Sequence, residues 1–144
     1  MLGNEKYVGI VLCQDATKLS SMICFDTNII IYLGNETLSE SIIGNEPIIY
    51  PSMLRIEALG YQDIRSVEEA RIKTLLAALK EVPLTNTIIE RAILLRQDQR
   101  MNLGDAIVAA TALDSDCVLW TANSKDFAHI EGLTIHNPLA GGEE

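Results

Sequence analysis

Aromatic side chains are scarce in this chain of 144 residues, at 5%, with one tryptophan. A core must therefore be built from Ile, Leu, Val and Ala, and the 48% hydrophobic content favours a folded globule over disorder. The length suits one domain with a sizeable core. The three cysteines, Cys13, Cys24 and Cys117, show no CxxC spacing and no histidine partners at zinc-site spacing, which excludes the common zinc frameworks. Two of them lie in apolar runs, where a buried thiol is expected, and this suits a reducing cytosol. No apolar run reaches membrane-spanning length, so no membrane partner is expected. Tyr7–Cys13 is too short and too poorly flanked for a signal peptide. Basic charge is also in deficit, with 11 Lys and Arg against 20 Asp and Glu and a net charge of -9. A bulk electrostatic grip on nucleic acid is thereby excluded. Any RNA contact has to be local and metal-assisted, or come from a few placed cations.

The chain divides into an N-terminal arm or start-site extension over 1–21, a domain over 22–138 and a frayed tail over 139–144. Within the domain, strands and helices alternate. Ile23-Cys24-Phe25 reads as a buried strand ending at Asp26, followed by a helix from Thr27 to about Leu33 that Gly34-Asn35 breaks. Ile48-Ile49-Tyr50 is the next strand, and Ser52 is placed to cap a helix that runs through Glu57 to Gly60. Val67–Lys80 carries a helical stripe of Ile72, Leu75, Leu76 and Leu79. Val82-Pro83-Leu84 reads as an edge segment, and Thr85 as the cap of a helix to about Arg100 with Ile88, Ile89, Ala92 and Leu95 inward. Asp105–Leu113 is nearly all apolar and should be buried on most sides. Cys117–Trp120, a short turn at Ser124–Ala128 and a strand at Leu133–Ile135 complete the pattern. This order predicts an α/β fold with a parallel sheet covered on both faces, whose sites form at the carboxyl ends of the strands.

Three carboxylates stand out at that edge. Asp26 ends an apolar strand, Glu57 lies in a mostly apolar helix, and Asp105 opens the most hydrophobic helix of the chain. Carboxylates in such surroundings are costly unless paired, hydrogen-bonded or metal-bound. Taken singly, Asp26 and Asp105 are equally well read as helix caps. Taken together, the three repel one another, and a divalent cation resolves the repulsion. Oxygen ligands alone favour Mg²⁺, with Mn²⁺ able to substitute, and phosphodiester hydrolysis is the natural chemistry.

Several stretches then carry a family resemblance. They are Phe25-Asp26-Thr27-Asn28, Pro51-Ser52-Met53-Leu54-Arg55-Ile56-Glu57-Ala58-Leu59-Gly60, the run from Asn102 through Gly104-Asp105-Ala106 to Leu113, and Leu119-Trp120-Thr121-Ala122-Asn123-Ser124-Lys125-Asp126-Phe127. In this order and spacing the chain resembles the PIN-domain ribonucleases, most closely the VapC-type toxins of toxin–antitoxin pairs. The resemblance implies a parallel sheet of four or five strands with helices on both sides. It also implies a Mg²⁺-dependent endoribonuclease, in the cytoplasm, forming a homodimer and restrained by a cognate antitoxin lying in an active-site groove. The implied metal ligands are Asp26, Glu57 and Asp105. A fourth acidic position falls either at Asn123, in the Thr-x-Asp/Asn step, or at Asp126 beside it. Asn28 and Thr121 resemble the polar residues that orient the carboxylates, and Ser52 either does the same or caps its helix. Tyr32, Leu33, Tyr61 and Ile64 are candidates for the antitoxin groove, and Arg55, Arg96 and Arg100 for RNA phosphate. Two other readings stand beside this one. A non-catalytic PIN-like scaffold would bind RNA or protein without cleaving it. A receiver-like signalling domain would want a phospho-accepting Asp on a middle strand, whereas here the second strand runs into Pro51-Ser52 with its acid on the following helix.

Overall fold

A computed structural model describes residues 22–139. The expected arm over 1–21, with Cys13, and the tail beyond Leu139 lie outside the described residues. Five strands form one parallel sheet: β1 (Ile23–Phe25), β2 (Ile48–Pro51), β3 (Lys80–Val82), β4 (Val118–Trp120) and β5 (Thr134–His136). Their spatial order is β3-β2-β1-β4-β5. The chain therefore winds outward from β1 to β3, then returns to build β4 and β5 on the other side. The reversal opens a crevice between the carboxyl ends of β1 and β4, where ligands bind in open α/β sheets.

Successive residues of the central strands feed opposite faces of the sheet, as the strand period of two requires. Ile23 and Phe25 join Ile48 and Tyr50 in one core, under α1 (Thr27–Gly34), α2 (Met53–Leu59) and α3 (Ser66–Ala77). Cys24, Ile49 and Leu119 join the other, under α4 (Asn86–Asp98) and α5 (Leu103–Asp114). Because both faces are covered, β1 is buried at every position and reads as a continuous apolar run. Cys24 and Cys117 are buried free thiols. On α5, Ala106, Ala109, Ala110 and Ala112 are buried, and their small side chains let the helix lie close to β1, β2 and β4. Gly34 does the same where α1 meets α3, since a Cβ there would stand 2.6 Å from Ile72. Among the described residues, no helix is long and apolar enough to cross a membrane.

Several boundaries differ from the sequence reading. The helix expected to reach Lys80 ends at Ala77, and Lys80 instead opens β3, pairing with Ile49. Pro83 cannot donate to a ladder, so β3 stops at Val82 rather than continuing to Leu84. On α4, Ile88 and Ala92 face the core, but Ile89 is 36% exposed and Leu95 only partly buried. A 3₁₀ turn at Glu40–Ile42, capped by Ser39, had no apolar periodicity to announce it.

This layering predicts unequal costs for two leucine truncations. Leu119→Ala, at a fully buried position of β4, should cost about 3 kcal/mol in urea unfolding. Leu84→Ala, at an exposed position just past β3, should cost less than about 0.5 kcal/mol.

Candidate active site

β1 runs into Asp26, which caps α1 and stays only 6% exposed. Three donors hold the carboxylate. Thr27 N–H reaches Oδ1 at 2.8 Å, and the Thr121 hydroxyl and Asn28 amide reach Oδ2 at 2.7 and 3.2 Å. Thr121 is fully buried at the end of β4, and its hydroxyl also accepts the Asn123 N–H at 3.0 Å. The carbonyl oxygen of the Asn28 side chain takes the Ala122 N–H at 3.1 Å. Asp26 thus caps α1 and is fastened across the crevice between β1 and β4.

Glu57 projects from α2, and Thr27 donates its hydroxyl to one of the Glu57 oxygens. The other oxygen lies against Gly104, where an added Cβ would stand 2.8 Å away. Glu57 is exposed, unlike the buried carboxylate its apolar sequence neighbours suggest; Ile56 beside it is itself 74% exposed. Asp105 is half-buried in the first turn of α5 and does not cap that helix. The cap is Asn102, whose side-chain oxygen accepts the Asp105 N–H at 2.7 Å. Asp126 lines the same cleft as Asp105. Asn123 instead lines a neighbouring cleft with Asn137.

Ser52 departs from both expectations. It adopts helical backbone angles, makes no side-chain cap, and donates its hydroxyl to the Val82 carbonyl at 3.3 Å. It belongs to the β2–β3 edge, where Arg55 and Tyr50 meet Glu81. Arg55 is therefore tied to Glu81, and Arg96 donates to the Met101 carbonyl, while Arg100 lines the cleft of Asp105. Thr27, Asn102 and Gly104 were not singled out from sequence. Thr27 and Gly104 stand directly beside a chosen acid, which was the available signal; Asn102 stands three residues before Asp105, at capping distance.

Burial raises the Asp26 carboxyl above its ordinary range, the bonds from Thr121 and Thr27 pull it back, and the Glu57 charge adds to the rise. Asp105 is pushed up to about 6, first by burial and then by the charges of Asp26, Asp126 and Glu57. The four acids thus share one electrostatic site. Among the described residues, no three His, Cys, Asp or Glu side chains are grouped closely enough to hold an ion together. The donor set still fits Mg²⁺ or Mn²⁺, since Mg²⁺ commonly keeps several waters and takes one or two carboxylates directly.

Two measurements test this electrostatic account. Asp105 titrates higher folded than unfolded, so its charge opposes folding above about pH 6, and the cost fades as pH falls to about 4. Asp105→Asn should therefore stabilise the metal-free protein at neutral pH by about 1 kcal/mol, after discounting for solvent screening. The gain in thermal midpoint should vanish near pH 4. Thr121→Val keeps the shape but strips a donor from Asp26 and an acceptor from the Asn123 N–H, and should cost about 1–3 kcal/mol in urea unfolding.

Comparison with known proteins agrees with this architecture. The chain is 30% identical to a chain in a toxin–antitoxin complex from Klebsiella pneumoniae, with a TM-score of 0.62, covering 83% of this chain and 98% of that one. VapBC2 from Rickettsia felis, bound to a DNA fragment from its promoter, shares the fold with a TM-score of 0.70 at 19% identity, covering 81% and 98% of the two chains. VapBC-1 from nontypeable Haemophilus influenzae does so with a TM-score of 0.63 at 24% identity, covering 81% and 97%. No curated protein matches the sequence. The PIN domain model matches residues 23–133, a span that runs from β1 to the threshold of β5 and contains every acid of the site, and the chain belongs to the PIN domain family.

Proposed function

We propose that this chain is a metal-dependent endoribonuclease and the toxin component of a type II toxin–antitoxin pair. The observation that carries the reading is the gathering of Asp26, Glu57, Asp105 and Asp126 at the crevice between β1 and β4, with Asp26 fastened by three donors. Such repulsion within one site is retained where a cation is to be bound. When bound, Mg²⁺ or Mn²⁺ supplies charge neutralisation and Lewis-acid assistance to in-line phosphodiester hydrolysis. Asp26, Glu57 and Asp105 would hold it, one or two of them directly and the rest through its waters, and Asp126 is the better fourth acid, because its charge reaches Asp105. Thr121, Asn28 and Thr27 keep the Asp26 and Glu57 oxygens in fixed positions before the cation arrives, which lowers the ordering required on binding.

Partner binding follows the same reading. The solved relatives are toxin–antitoxin complexes. Here Tyr61 and Ile64 line a small groove with Ile31 at the end of α2, and Ile56 is exposed on that helix, which supports the docking of an antitoxin segment along α2. Tyr32 is only partly buried, whereas Leu33 is core. Ile89, Ile93 and Leu94 expose apolar surface on α4, which supports a homodimer. A cytoplasmic location is part of the same proposal.

Purified protein should cleave structured RNA with Mg²⁺ or Mn²⁺ and stop when the metal is chelated. Asp26→Asn and Asp105→Asn should each lower the rate by roughly 100-fold or more. Equal cleavage by wild type and both variants would point to a contaminating nuclease and return the chain to a non-catalytic scaffold.

A further inference from the structure

An acidic nuclease has to bring a polyanion to a site that repels it, so the placement of its few unengaged cations is informative. Most cations of the described residues are engaged by the chain itself. Arg55, Arg65, Arg71, Lys73 and Arg91 form ion pairs, and Arg96 donates to a carbonyl. Among the described residues, Lys80, Arg100 and Lys125 have no such partner. Two of these three line one cleft. It has a volume of about 550 Å³, and its wall includes Arg100, Lys125 and His129 together with Asp105 and Asp126. Both cations are exposed, and neither closes onto the neighbouring acids as an ion pair. Lys125 and Asp126 are shared with the adjoining cleft of about 370 Å³, which carries Asn123 and Asn137. Lys125 thus stands at the junction of two depressions that meet beside the acids.

We propose that these joined clefts are the track of a single-stranded RNA. Arg100 and Lys125 each hold a backbone phosphate on the side of the acids toward α4, and the amides of Asn123 and Asn137 line the continuation. This deepens the ribonuclease reading and rests on it. Backbone contacts of this kind position a strand without reading its sequence. They also compensate locally for a chain charge of -9.

The probe is a fluorescently labelled single-stranded RNA of about a dozen nucleotides, long enough for a groove of this type. Anisotropy is measured on the full chain carrying Asp26→Asn, so that bound RNA is not cut. Arg100→Gln and Lys125→Gln should each weaken binding by about 3- to 10-fold and lower the salt slope by about 0.7. Lys80→Gln, on the edge strand β3, should change neither quantity. Equal losses at all three positions, or none at Arg100 and Lys125, would overturn the track. So would unchanged RNA affinity with lost affinity for a Glu-rich peptide, which would assign the cleft to an acidic partner segment. Cleavage kinetics separate this proposal from the one beneath it. Selective loss of RNA binding in a protein that never cleaves would keep the track and remove the nuclease reading. Cleavage with KM unchanged in both variants would keep the nuclease reading and remove the track.

Discussion

A carboxylate as buried as Asp26 must be supplied with hydrogen-bond donors, and those that reach it come from both ends of the domain. Thr27 and Asn28 follow it directly, whereas Thr121 lies 95 residues away, just past the end of β4. Only the reversal of strand order at β1 brings the last donor into place, since β4 returns to pair beside β1 after β2 and β3 have been laid on the other side. The Asn28 side chain spans the same gap to Ala122, and Thr121 in turn orders Asn123. One satisfied carboxylate therefore ties the first loop of the site to the last.

The remaining acids are arranged around that fixed point with less burial and more mutual repulsion. Asp105 is half-buried and its carboxyl is pushed up to about 6, while the Glu57 and Asp126 side chains are exposed. Close approach is made possible by small residues. Gly104 leaves room for the Glu57 carboxylate, and the alanines of α5 seat that helix against the sheet so that its first turn arrives at the crevice. Packing in the core and charge density in the site are two consequences of the same helix placement. Stability and function pull against each other here, as is usual where like charges are held together.

Much of this was legible in the residues. Strands of continuous apolar sequence, alternating with helices, announced a covered parallel sheet; the carboxyl-end rule pointed to Asp26, Ser52, Glu57 and Thr121–Asp126, and the cost of a carboxylate in apolar surroundings added Asp105. The errors were local. Lys80 reads as the end of a helix because nothing in Ala77-Ala78-Leu79 breaks one, and only pairing with Ile49 makes it a strand. Ser52 has the composition of a cap, yet β3 lies beside it and takes its hydroxyl. Glu57 has apolar sequence neighbours, but α2 turns that side of the helix outward.

Order, spacing and hydrophobic pattern by themselves determined the fold class and the candidate acids, because burial on both faces and strand–helix alternation are written into local composition. Tertiary structure alone decided which donors hold Asp26, that Asp126 rather than Asn123 shares a cleft with Asp105, and which cations remain unengaged beside them. Those outcomes depend on contacts between residues far apart in the chain. Such contacts follow from the crossing of the sheet at β1, which no local pattern specifies.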